Sequence, residues 1–61
     1  MKEIDEIFQR LSNMEAASLS MLQRLEKLGK GNRRLRKSVV RDILDIQKLK
    51  ATIAAYRALH N

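Results

Sequence analysis

The stretch Leu28-Gly29-Lys30-Gly31-Asn32-Arg33 decides the fold, because it holds both glycines of a 61-residue chain that contains no proline. Glycine adopts the left-handed backbone that ends a helix without a steric penalty, so Gly29 reads as a C-terminal cap. Lys27 and Lys30 complement the negative end of the helix dipole at that point. Asn32 reads as the N-terminal cap of a second helix, its side-chain oxygen accepting a backbone N–H from the first turn. With punctuation at one place only, the chain divides into a helix over about 2–28, a turn at 29–32 and a helix over about 33–59. A four-residue connection returns the second helix antiparallel to the first, which predicts an all-α, two-helix antiparallel hairpin as a single domain.

Upstream of the turn the apolar residues fall on a heptad. Ile4, Leu11 and Leu25 share one position with Ser18, and Ile7, Met14, Met21 and Leu28 share the other. Phe8, Leu19 and Leu22 widen the stripe on one side until it covers close to half the cylinder. One neighbouring helix does not need so broad a face, whereas a bundle in which each helix touches two others does. Ser18 either sets the register of the seam or is a small residue bonded back to the preceding turn. Downstream, Leu35, Val39, Ile43, Ile46, Leu49, Ile53 and Tyr56 recur at spacings of three and four. Asp42, Lys50 and Arg57 lie near this seam and are expected to extend from its edge to water. A second stripe of Val40, Leu44, Ala51 and Ala58 either receives another helix or reflects alanine's helix propensity.

A domain of this size buries only about 60% of the surface its unfolded chain exposes. Burial at about 25 cal/mol per Å² then roughly cancels about 1.5 kcal/mol of ordering entropy per residue, so short chains add disulfides, metals or self-association. The chain has no cysteine, and its single histidine, His60, is the penultimate residue. That leaves association: a homodimer forming a four-helix bundle, with Phe8, Leu19, Leu22, Val40, Leu44, Ala51 and Ala58 as candidate interface residues toward a twin or another protein. No metal and no cofactor is expected.

The net charge of +6 is unevenly placed. Residues 1–23 set Lys2 and Arg10 against four acids, a net of −2, whereas residues 24–41 set eight basic residues against Glu26 alone, a net of +7. Arg33, Arg34, Arg36 and Lys37 crowd a helix N-terminus whose dipole is already positive, an arrangement unfavourable by about 0.3–1 kcal/mol per charge at low salt. On the helical wheel Arg34, Lys37, Arg41 and Lys48 form one stripe opposite Ile43 and Ile46. Lys27, Lys30, Arg33, Arg34, Lys37, Arg41 and Lys48 are therefore the candidate nucleic-acid-binding residues, directed at phosphates rather than bases. Three alternatives compete for these cations: nucleic acid, the acidic Glu3, Asp5 and Glu6 of a second copy, or solvent. In a dimer, hinges at opposite ends match the charges, whereas hinges together would pile up +14.

Catalysis is not expected. The hydroxyls of Ser12, Ser18, Ser20, Ser38 and Thr52 have no histidine or acid placed to activate them, and Asp42 with Asp45 is too few ligands for a cation. Nothing resembles a small-molecule site, a signal peptide or a membrane span, so the expected location is the cytoplasm. In layout alone, two near-equal helices with a turn at the midpoint, the chain resembles the small plasmid RNA-binding copy-number regulators that dimerise as antiparallel four-helix bundles. That resemblance implies a dimeric bundle and assigns no binding residue. The expected function is a small non-enzymatic regulator or adaptor that contacts nucleic-acid backbone; the alternative is a protein-binding module, an inhibitor or assembly subunit that docks its helices onto a client.

Overall fold

The computed structural model describes residues 2–29 and 31–60. Two helices, α1 (Lys2–Leu28) and α2 (Arg33–Leu59), lie antiparallel against each other in a rod of 47 × 15 × 11 Å. Its radius of gyration is 14.3 Å. A compact domain of this length has about 10.5 Å, so the hairpin is far from a sphere and correspondingly poor at enclosing a core.

The turn forms as glycine chemistry dictates. Gly29 has φ 81° and Gly31 φ 104°, both in the left-handed region. The Gly29 N–H donates to the Glu26 carbonyl at 3.4 Å, and the Arg36 N–H donates to the Asn32 carbonyl at 2.8 Å. Asn32 thus precedes α2 as expected, but its side chain makes no capping bond. Its φ of −105° and ψ of 19° depart from the extended backbone that turns a capping side chain toward the first-turn amides. Lys30, placed in the turn and among the candidate cations, lies outside the described residues.

Among the described residues Leu25, Val39, Ile43 and Ile46 are buried, and none is less than 2% exposed. Leu25, Val39 and Ile43 cluster near the hinge end with Leu22 packed against them. From α1, Ile4, Phe8, Leu11, Glu15 and Ser18 are half-buried along the same line; from α2, Arg36, Lys50 and Ile53 are. This seam differs from the expected one. It keeps Ile4, Leu11, Ser18 and Leu25 but replaces Ile7, Met14, Met21 and Leu28, all exposed, with Phe8, Glu15 and Leu22. Both sets repeat every seven residues, so periodicity permits either.

Charge pairing explains how the seam accommodates Glu15. The Lys50 Nζ donates to Glu15 Oε1 at 2.9 Å, with the two side chains 23% and 17% exposed. Lys50 is therefore part of a half-buried pair rather than a seam-edge charge in water. Its ammonium also sits 5.1 Å from the centroid of the Phe8 ring, and the Arg57 guanidinium 5.6 Å from it, so the ring is enclosed by cations. Arg57 bonds Asp5 at 3.0 Å at the open end. Tyr56 departs from its expected core position: it is exposed and stacks at 36° on His60, with ring centroids 4.2 Å apart.

Candidate functional site

The cationic stripe follows from helix geometry. At about 100° per residue, Arg34, Lys37, Arg41 and Lys48 fall within one narrow sector of α2 on the side facing away from Val39, Ile43 and Ile46. Those three residues pack on α1, so the stripe runs along the outer edge of the hairpin, and all four cations are exposed. From Arg34 to Lys48 it extends about 21 Å at 1.5 Å per residue. Among the described residues the ion pairs are Lys50–Glu15 and Arg57–Asp5, so no stripe cation is in direct contact with a carboxylate, and Asp45 is the one acid beside the stripe.

At the hinge the stripe meets a shallow cleft of about 370 Å³ between the helices, lined by Leu22, Glu26, Arg33, Arg36, Lys37 and Val40. Arg36 lies outside the set of candidate binding residues, yet its Nε is buried with no hydrogen-bond partner. Its half-buried place on the seam side of α2 is the signal that the wheel carried. Glu26 is the acidic counterweight in this cleft. The first turn of α2 contains no acidic residue, and Asn32 leaves its amides without a side-chain acceptor. Helix dipole and side chains thus present positive potential in one place. Lys27 and Arg33 are exposed on either side of the turn.

The apolar residues outside the core divide between two faces. Of the seven expected interface residues, Phe8 and Leu22 are half-buried within the hairpin itself, whereas Leu19, Val40, Leu44, Ala51 and Ala58 are exposed. Antiparallel geometry places Leu19, Val40 and Leu44 on the side of the cationic cleft. On the opposite side α1 exposes Ile7, Met14, Met21 and Leu28, and α2 exposes Leu35, Leu49 and Tyr56. A second depression, of about 440 Å³ and lined by Lys2, Glu3, Ile4 and Tyr56, marks the open end of that side. The first is called here the Val40 face and the second the Met14 face. The Met14 residues escaped notice as a surface because their heptad spacing assigns them to a core.

Glu15 has a carboxyl held below the ordinary value, chiefly by the hydrogen bond from Lys50 and then by the nearby Gln47 side chain, against a desolvation effect in the other direction. It buttresses the hairpin rather than the stripe. No helix is long and apolar enough to cross a membrane. No family model matches the chain, and no curated protein and no solved structure matches it either.

Proposed function

We propose that this chain is a small, non-enzymatic cytoplasmic regulator or adaptor that works as a homodimer and grips nucleic-acid backbone through the outer edge of α2. The observation that carries the reading is the set of exposed, unpaired cations Arg34, Lys37, Arg41 and Lys48, continuous with an α2 N-terminus that has neither acidic residues nor a side-chain cap. Concentrating like charge against a helix dipole is unfavourable in isolation and is offset when a polyanion is bound. The aromatic supply supports backbone contact over base stacking: Phe8 is enclosed by Lys50 and Arg57, and Tyr56 is occupied with His60.

A salt titration of binding to duplex DNA and duplex RNA tests this. Each phosphate neutralised contributes about −0.9 to the slope of log K against log salt, so four stripe cations per chain give a slope of about −3 to −4. Changing Arg34, Lys37 and Arg41 together to Glu is expected to abolish binding while leaving the helical circular dichroism intact. Binding that is absent in the wild type, or unaffected by the triple change, removes the proposal.

The second reading is a protein-docking module, favoured by the exposed Leu19, Val40 and Leu44 beside the cleft. A groove that receives a partner helix has this mix of apolar floor and charged rim. A partner retained on the immobilised protein after nuclease treatment and high-salt washing favours this reading over the first.

A further inference from the structure

We propose that the Met14 face is covered by a second copy of this chain, with the two hinges at opposite ends, so that α2 lies along α2 of the second copy and the two cationic stripes join into one surface. The inference rests on the dimeric reading above and specifies which face pairs, in which direction, and with what effect on the binding edge.

The surface area calls for an occupant. The chain exposes 5219 Å². A folded monomer of 7.1 kDa exposes about 4,100 Å². The excess, about 1,100 Å², exceeds the roughly 800 Å² that each partner contributes to a stable interface.

The register of the hairpin shapes the face. In an antiparallel pair the numbers of facing residues have a constant sum, and the Glu15–Lys50 and Asp5–Arg57 pairs bracket it between 62 and 65. Met14 then stands level with Leu49, Ile7 with Tyr56, Leu28 with Leu35, and Met21 with Asp42. The face is a ladder of four rungs spaced by seven residues on both helices, the repeat that lets one helix seat on another along its whole length. Asp42 is its one charged position. The Val40 face lacks this regularity and is bordered by Arg33 and Lys37 of the cleft.

Charge fixes the direction. With the hinges at opposite ends, Glu3 and Glu6 of each copy reach the level of Lys27 of the other. With the hinges together, the two +7 segments would share one end. A two-fold axis that opposes the hinges pairs α1 with α1 and α2 with α2. Both stripes then lie on the same edge of the four-helix assembly, doubling the cations available to one polyanion.

Ala17 provides the test. It is exposed on the outer border of the Met14 face, midway between Met14 and Met21, where that axis crosses α1. The natural chain has no cysteine, so Ala17→Cys introduces the only thiol. Under mild oxidation it is expected to form a disulfide-linked dimer, since the two positions approach within the Cα range of about 4.4–6.8 Å that a disulfide spans. Ala58→Cys on the Val40 face is expected to remain monomeric on a denaturing gel. Light scattering of the wild type should give the dimer mass, and Asp42→Leu, which completes the ladder, should tighten self-association roughly tenfold. A monomeric wild type, an Ala17→Cys protein that does not cross-link while still dimeric, or an Asp42→Leu protein with unchanged association overturns the inference. None of these measurements involves nucleic acid. A cross-linked dimer that ignores duplex DNA and RNA would sink the proposed function and leave this pairing standing.

Discussion

Lys50 and Glu15, 35 residues apart in the chain, meet at 2.9 Å across the two helices. The pair sits at the side of the Phe8 ring, over which the Lys50 ammonium lies. A heptad position occupied by a carboxylate is thereby made compatible with a seam that is otherwise aliphatic. An ion pair this exposed contributes modestly to stability.

Acid weakens this contact in a definite window. The Glu15 carboxyl is held below its ordinary value, first by the Lys50 hydrogen bond. A group whose folded pKa is depressed stabilises the fold above its unfolded pKa and loses that contribution as pH falls through the folded value. Thermal melts followed by circular dichroism should therefore show the wild type above Glu15→Gln at neutral pH, with the difference closing below the ordinary carboxylate range. A gap that persists unchanged into strong acid excludes the Glu15 charge as its origin.

Gly29 holds φ 81°, and a Cβ added there would meet nothing within 4 Å. Replacement is thus opposed by backbone strain alone. Gly29→Ala is expected to lower stability by about 1 kcal/mol in urea denaturation, and Gly29→Asn by less, because asparagine tolerates the left-handed region. A larger loss for Asn than for Ala would show that space, not backbone conformation, governs the position.

The core is small enough for one truncation to matter. Ile43 is buried against Leu25 and Val39. Ile43→Ala should remove about 2–5 kcal/mol, a large share of what a chain this short has. The expected readout is loss of a cooperative melting transition at concentrations where the wild type still melts sharply. Ala54→Ser, at an exposed α2 position, serves as the control and should melt like the wild type.

How much of this was legible in one dimension differs from element to element. The hairpin was readable because Gly29 and Gly31 are where the chain leaves α-helical backbone, and a positive φ favours glycine over residues with a Cβ. The stripe of Arg34, Lys37, Arg41 and Lys48 was readable because four residues on one helix share a face by geometry alone. The seam was not. Ile4, Leu11 and Leu25 belong to two overlapping heptads, and the choice between Met14 and Glu15 as their companion depends on Lys50, which periodicity along α1 cannot see. For the same reason the exposed Met14 face was read as core, and Tyr56 with it. The idle Asn32 side chain was equally hidden, since residue type advertises a cap while φ and ψ decide whether the oxygen reaches the amides.

Asn32 yields a prediction that joins fold to function. Because its side chain makes no capping bond, Asn32→Ala should shift stability by no more than about 0.5 kcal/mol, instead of the roughly 1 kcal/mol lost where a side chain caps. Asn32→Asp acts differently. A carboxylate there faces the positive end of the α2 dipole together with Arg33, Arg34, Arg36 and Lys37, and should add about 0.3–1 kcal/mol at low salt. The same carboxylate competes with phosphate for those cations, so the variant that is more stable should bind duplex nucleic acid more weakly, and the deficit should shrink as salt rises. Denaturation and binding measured on the two variants side by side check both halves. Asn32→Asp that stabilises without weakening binding would separate the α2 N-terminus from the polyanion surface and confine that surface to the stripe beyond it.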